Sequence, residues 1–332
     1  MTLLQSEFYK FNQAIRLGWN DEQSILRERR DVILVRLRER FIGPSFDSFN
    51  QGSYEIGTGV RPVDGDYDID VGLRFNATRS DWPDPIDLKQ RVASALSGYT
   101  IEIRRPCVTV RYQRRGEQLY HIDLNVYLRD PADETMLYLA IGKVGDARPL
   151  KEWRHTDPLA LSAAIDRRFP DADAREQFRR TVRYLKRWKD IHFSSEGVAA
   201  PTGIALTAAA WERFSPATEV DRVSKKPHFT DLRAISALVR SIVQNANPRL
   251  VARFPAPPYD DLFARMNDEQ MDVFKRKLAK LAETLESALE CSDDATTGAL
   301  LRRAFGDDFP EVGPSKSGRR VGPAVVSSGA AG

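Results

Sequence analysis

With 332 residues, 42% of them hydrophobic and 29% charged, the chain has the composition of a globular protein with room for two lobes, which excludes an intrinsically disordered polymer. Fifty basic against 47 acidic residues leave a net charge of +3, which excludes a nucleic-acid binder that works through a broad positive field. Cys107, Cys291 and four scattered histidines exclude a disulfide framework and a thiolate zinc cluster, and with no leader-like N-terminus and no uncharged apolar run of about 18 residues the sequence predicts a soluble cytoplasmic protein.

Residues 22–40 predict an amphipathic helix, with Ile25, Val32, Leu34 and Leu37 set among Arg and Glu. From 51 to 66, Gly52, Gly57, Gly59, Pro62 and Gly65 predict a loop or loose hairpin. The period then changes to two: in DIDVGLRF, Ile69, Val71, Leu73 and Phe75 alternate with Asp68, Asp70, Gly72 and Arg74, the pattern of a half-buried strand. A helix begins near Pro85, and two strand-like runs follow at 101–112 and 118–128. In the second run Ile122, Leu124, Val126 and Leu128 share one face, and His121, Asp123, Asn125 and Tyr127 share the other. From about residue 157 the pattern is helical, with Thr156 or Asp157 as cap and Pro158 in the first turn. Further helices are predicted at 175–192, 201–214, 230–244, 259–266 and 268–290, with Asp260 and Asp261 capping the run LFARM. The last twenty residues are rich in Gly, Pro and Ser, which predicts a disordered tail. The expected organisation is α+β: a catalytic core with its N-terminal helix over 1–155, a helical lobe over 156–312 and a tail over 313–332.

The chemistry lies in three acids. Asp68 and Asp70 are two apart on one strand, so their carboxylates share a face and repel unless a cation joins them. Asp123 completes the set if its strand lies near theirs. Three carboxylates around hard cations suit phosphoryl or nucleotidyl transfer by two metal ions. Gly52 and Ser53, in a small-residue turn, can present backbone N–H groups and a hydroxyl to phosphate oxygens. Asp-x-Asp and Gly-Ser each occur often by chance; their ordered combination is the specific signal.

That combination, GS at 52–53, DID at 68–70 and HID at 121–123, resembles the signature of the nucleotidyltransferase superfamily related to DNA polymerase β. The segments QGSYEIGTGVRPVDGDYDIDVGL, HTDPLALSAAI, RYLKRWKD, APTGIALTAAAWE, DDLFARMNDEQMDVF and FGDDFP, in order from about residue 50 to about 310, look like the CD-NTase family: bacterial, cyclic GMP-AMP synthase-like (DncV-like) enzymes of anti-phage CBASS systems. The resemblance implies a polymerase β-like mixed sheet facing a helical lobe, with the substrate cleft between them. It implies two Mg2+ ions, or Mn2+ in their place, on Asp68, Asp70 and Asp123, with Asp123 also orienting or deprotonating the acceptor hydroxyl. Gln51, Gly52 and Ser53 would meet the triphosphate, and Lys186 and Thr202 would contact substrate phosphates. The implied product is a cyclic di- or trinucleotide made from NTPs, ATP and/or GTP, which acts on a separate effector. Two distant cysteines cannot form the zinc insertion of the mammalian DNA sensor, so the resemblance favours the bacterial branch.

Several positions keep a second reading. The cations of REQFRRTVRYLKRWKD suit a solvated basic face as well as a phosphate contact. Thr202 suits a helix cap, Tyr184 and Trp188 suit the core, and His121 suits a hydrogen-bonded neighbour of Asp123. Gly332 is either the end of an inert tail or, by the resemblance, a point of attachment for ubiquitin-like conjugation machinery. The alternatives to a cyclic-nucleotide synthase are a template-free nucleotidyltransferase acting on RNA or another acceptor, and a catalytically silent sensor, against which the three intact acids stand.

Overall fold

The alternating run 67–75 forms one of the strands that organise the sheet, and its apolar residues Ile69, Val71, Leu73 and Phe75 are buried. The computed structural model describes residues 3–17, 22–63, 65, 67–114, 117–129, 136–194, 200–220, 225–246, 248–257 and 259–313. In chain order the elements are α1 (Gln5–Ile15), α2 (Glu22–Arg40), β1 (Phe46–Asn50), α3 (Gly52–Ile56), β2 (Tyr67–Phe75), α4 (Pro85–Ala95), β3 (Thr100–Ile103), β4 (Val108–Arg114), β5 (Glu117–Arg129), β6 (Leu137–Ile141), β7 (Glu152–Thr156), α5 (Ala160–Arg168), α6 (Ala172–His192), α7 (Gly203–Arg213), β8 (Thr218–Val220), β9 (Pro227–Phe229), α8 (Asp231–Gln244), α9 (Asp268–Glu290) and α10 (Asp294–Phe305).

The main sheet runs β1-β2-β5-β4-β3, with β6 added to β5 and β7 to β6; β8 and β9 form a separate hairpin. β2 and β5 are parallel and the other pairs antiparallel, so the sheet is mixed. The parallel pair needs a long crossover, which α4, β3 and β4 supply. One apolar cluster joins Ile69, Val71, Ile122 and Leu124 of the sheet to Leu88 and Val92 of α4 and to Ile33, Leu34 and Leu37 of α2. A second lies among the helices, where Phe178, Val182 and Leu185 of α6 meet Leu232 and Ile235 of α8 and Phe274 and Leu278 of α9.

Differences from the sequence reading have local causes. α1, assigned above to the catalytic core, packs in the helical cluster: Phe8 and Phe11 lie 5.3 and 5.2 Å from the Tyr184 ring. On α2 the buried side is Leu26, Ile33, Leu34 and Leu37, while Val32 faces solvent. The run 101–112 is two strands, because the chain reverses over Arg104–Cys107 around Pro106, which has no N–H to donate, and Arg104 N–H donates to the Cys107 carbonyl. A short helix, α3, opens the stretch read as a loop. The run 259–266 forms turns: the Asp261 carboxylate accepts from the amides of Ala252 and Phe263, a local bond that competes with a helix. Asp157 likewise accepts from Leu159 N–H, and α5 begins only at Ala160. α1, β1, β6, β7, β8, β9 and α10 were not read from the sequence. Apart from Gly313, the expected disordered tail, including Gly332, lies outside the described residues. Among the described residues no helix is long and apolar enough to cross a membrane.

Candidate active site

Parallel register brings the acids together. Asp70 pairs directly with Asp123 across β2 and β5, and Asp68 pairs with His121, so the three carboxylates stand on one face of two adjacent strands. The opposite face carries Ile69, Val71, Ile122 and Leu124 in the core, which fixes the acids outward: a slip of one residue would bury them.

The acids disturb one another. Burial pushes Asp70 up to about 7, reinforced by the charges of Asp68 and Asp123 and opposed by Lys186 and by a hydrogen bond from Asn125. Burial also raises Asp68, and Asp123 adds to it, while His121 and Lys186 oppose. Asp68 keeps an exposed surface at the end of the pair, and Asp70 is half-buried. Asp123 Oδ1 accepts from Thr109 Oγ1 at 2.6 Å, and Cys107 Sγ stands 3.6 Å behind that hydroxyl. Among the described residues no three His, Cys, Asp or Glu side chains already converge as a closed ion site. The donor set nevertheless fits a divalent cation of the Mg2+ type: hard oxygens, partly desolvated and mutually repelling, on neighbouring strands.

The Gly-Ser turn closes onto this face. Gln51 N–H donates to the Asp70 carbonyl at 3.3 Å, and Gly52 adopts φ 66°. A Cβ on Gly52 would lie 2.1 Å from Asp70 Oδ2, so only glycine lets the backbone approach the carboxylate. α3 then runs one short turn and ends at Gly57 in the left-handed conformation, with Thr58 N–H donating to the Ser53 carbonyl at 2.9 Å. Ser53 Oγ lies beside Gly59, where a Cβ would sit 3.7 Å away. Gln51 is buried and its Oε1 accepts from Tyr127 Oη at 2.9 Å, which ties the turn to β5. Burial, partly offset by Gln51, drives the Tyr127 hydroxyl far above its ordinary value, so it remains a donor.

Lys186 comes from the helical lobe. It is buried, and Nζ donates to the Thr58 carbonyl at 3.0 Å and to Thr58 Oγ1 at 3.2 Å. Burial pushes it down to about 8, with the charge of Asp68 opposing, so near neutral pH it is still chiefly cationic. Its stem passes Gly203, where a Cβ would lie 3.4 Å from Cε. Thr202, exposed, caps α7 by accepting from Ala205 N–H at 3.3 Å. Tyr184 and Trp188 are buried in the core; Tyr184 Oη donates to Asp231 at 2.8 Å. Sequence reasoning missed Thr109, Asn125, Tyr127 and Thr58. Asn125 and Tyr127 were legible as members of the Asp123 face, whereas Thr58 and Thr109 become visible only when the elements assemble.

A groove of about 760 Å³ along the outer side of α2, lined by Arg27, Val35, Arg40 and Tyr99 among others, contains none of the three acids in its lining. The candidate site is the face that carries the acids, not that groove.

Residues 46–127, the span that holds α3, the Gly-Ser turn and all three acids, match the family model for the cyclic GMP-AMP synthase DncV-like nucleotidyltransferase domain. Over that span the chain is similar to a DncV-like nucleotidyltransferase domain of the CD-NTase kind. A curated cyclic GMP-AMP synthase from Escherichia albertii is 25% identical over 291 residues, which cover 83% of this chain and 59% of the relative, so the chain spans little more than half of that protein's length. The CD-NTase CdnG of Bradyrhizobium diazoefficiens, solved with GTP, superposes with a TM-score of 0.68 at 17% identity and covers 92% of this chain and 96% of its own. The Vibrio cholerae DncV cyclic AMP-GMP synthase, solved with a linear intermediate, superposes with a TM-score of 0.60 at 21% identity over 82% of this chain and 72% of its own. These likenesses establish the polymerase β-like nucleotidyltransferase fold: a mixed sheet core, a helical second lobe and a cleft between them.

Proposed function

We propose that this protein is a cyclic oligonucleotide synthase that joins NTPs, ATP and/or GTP, into a cyclic di- or trinucleotide with release of pyrophosphate. The observation that carries this reading is the register of β2 against β5, which sets Asp70 beside Asp123 while Gly52 closes the turn onto the Asp70 carboxylate. The GTP and linear dinucleotide bound by the two structural relatives support the substrate class.

Asp68, Asp70 and Asp123 would hold the divalent ions, Mg2+ or Mn2+, which when bound supply charge neutralisation at the triphosphate and lower the pKa of the attacking hydroxyl. The chain's own residues do the rest. Gly52 and Ser53 offer an N–H and a hydroxyl to the phosphate oxygens, and Gln51 holds the turn in place through Tyr127. Lys186 brings a cation from the other lobe, and Thr202 at the start of α7 lies on that side of the cleft. Asp123, held by Thr109, orients the ribose hydroxyl and takes its proton as the oxygen attacks the α-phosphorus of a second NTP; the bond to pyrophosphate breaks. A second transfer closes the ring. The product would act on a separate effector in anti-phage signalling in the bacterial cytoplasm, and Gly332 would serve a ubiquitin-like conjugation apparatus, which mass spectrometry of the intact protein after phage infection tests.

Incubation of the purified chain with labelled NTPs and Mg2+, followed by phosphatase and mass spectrometry, should give a phosphatase-resistant cyclic product that is lost in Asp68→Ala. A linear or acceptor-linked product would instead identify a template-free nucleotidyltransferase acting on RNA or another acceptor, and product unchanged in Asp68→Ala would overturn the assignment.

A further inference from the structure

The loop that follows α3 is gripped by the helical lobe through cations not needed for the chemistry itself. Arg179 Nε donates to the Ile56 carbonyl at 2.9 Å, Arg183 Nη1 to the Gly57 carbonyl at 2.6 Å and Arg187 Nη2 to the Arg61 carbonyl at 2.8 Å, with Lys186 on Thr58 between them. Arg179, Arg183 and Arg187 recur every fourth residue, so one stripe of α6 runs along the loop. The other flank is held by backbone at the end of α1 and just beyond it: Leu17 N–H donates to the Gly59 carbonyl at 3.2 Å, and Arg61 N–H donates to the Ile15 carbonyl at 2.8 Å. The carbonyls of Ile56, Gly57, Thr58, Gly59 and Arg61 therefore all have donors. Such a loop is fixed, although its glycines read as freedom.

Arginine suits this task because its planar fork serves a carbonyl and a second partner together. Arg183, buried, also donates to Asn12 Oδ1 on α1 at 2.8 Å and pairs with Glu176 at 2.5 Å, and Arg187 pairs with Asp308 at 3.2 Å. These two guanidinium groups thus link the loop to the helical lobe. The loop in turn is bonded to Ser53 through Thr58 N–H.

We propose that Arg179, Arg183 and Arg187 are positioning residues: through the 56–61 loop they set Gly52 and Ser53 against Asp70, so the helical lobe determines how tightly the sheet face holds a nucleoside triphosphate. This inference rests on the proposed nucleotidyltransferase reading. Arg179 is the residue to test, because it is only half-buried and its replacement leaves the helical core intact. In the full-length protein with Mg2+, Arg179→Met keeps the stem and removes the donor; it should raise both the Kd for GTP or ATP in equilibrium dialysis and the KM about tenfold, with kcat within about twofold and the thermal midpoint nearly unchanged. Arg179→Lys, which restores a donor, should recover most of the loss. Arg187→Met should shift Kd and KM in the same direction. Unchanged Kd and KM in Arg179→Met, with nucleotide binding intact in the parent protein, would overturn the positioning role alone. Equal defects in the Met and Lys variants, accompanied by a large fall in thermal midpoint, would overturn it in favour of simple destabilisation. A parent protein that binds neither nucleotide would overturn the nucleotidyltransferase reading and this inference with it.

Discussion

Two charged faces meet across the cleft, and they are built on opposite terms. On α6 the cations are matched: Arg179, Arg183, Lys186 and Arg187 each donate to a named carbonyl, and Arg180 is locked to Asp231 at 2.7 Å. On β2 and β5 like charges stand side by side; a hydroxyl from Thr109 and an amide from Asn125 reach them, and the charges of Lys186 and His121 ease the conflict without removing it. A fold that satisfies one dense set of charges and leaves another in conflict is holding the second set ready for a ligand. On the proposed reading the arginines of the matched face are architecture and the conflicted face is chemistry.

The largest effect expected from breaking this contrast is at Asp70. Asp70→Asn should lower the rate of nucleotide joining by at least ~10²-fold, measured with labelled NTPs, because a charge aimed at the reacting groups is gone. The same change should stabilise the metal-free protein. With its folded value raised to about 7 against about 4 in the unfolded chain, Asp70 keeps a proton in the fold that the unfolded state releases. Stability is therefore full below pH 4 and declines as pH rises toward 7, by at most ~1.4 kcal/mol per pH unit for this group. Thermal midpoints in chelator at pH 5 and pH 7.5 should show that decline in the parent protein and a smaller one in Asp70→Asn. A variant that is less stable than the parent at pH 7.5 would show that the carboxylate is architectural after all.

Next in size is Gly52→Ala. The new Cβ would meet Asp70 Oδ2 and would hold a left-handed backbone that alanine disfavours. Denaturant unfolding should register a loss of about 1–3 kcal/mol, with nucleotide joining impaired as well. Gly65, which also has positive φ, has open space around the same added atom, so Gly65→Ala carries the backbone strain without the collision and should leave joining nearly intact.

What the sequence revealed follows the range of the interactions concerned. Alternation along 68–75 and 121–128 exposed the acids and their buried partners, since side-chain direction in a strand is a local property. The parallel pairing of β2 with β5 was out of reach, because nothing within either segment encodes its register against a strand some fifty residues away. α6 illustrates the same limit more sharply: its arginines were read as a basic face that could be solvated, yet Arg183 and Arg187 are buried against carbonyls that arrive from the other lobe. α3 was hidden by the glycines that open and follow it, Gly52 and Gly57, which suit a loop equally well, and its five residues are too few to show a helical period. Tyr184 and Trp188 were legible as core because an aromatic on the apolar side of a helix has few other homes.

The smallest expected effect concerns Thr202, where the cap and the phosphate contact make separable demands on one hydroxyl. Oγ1 already accepts from Ala205 N–H, and that bond uses a lone pair while leaving the hydroxyl hydrogen to donate outward from an exposed position. Thr202→Ala should therefore lower stability by about 1 kcal/mol through the lost cap. If the hydroxyl also donates to a phosphate, KM for NTP rises several-fold in the same variant. Thr202→Asp restores the cap but places a carboxylate where the phosphate would lie. Recovered stability with a KM worse than that of Thr202→Ala would assign both tasks to Thr202, whereas recovery of both would make it a cap and leave Lys186 as the cleft's contribution from the helical side.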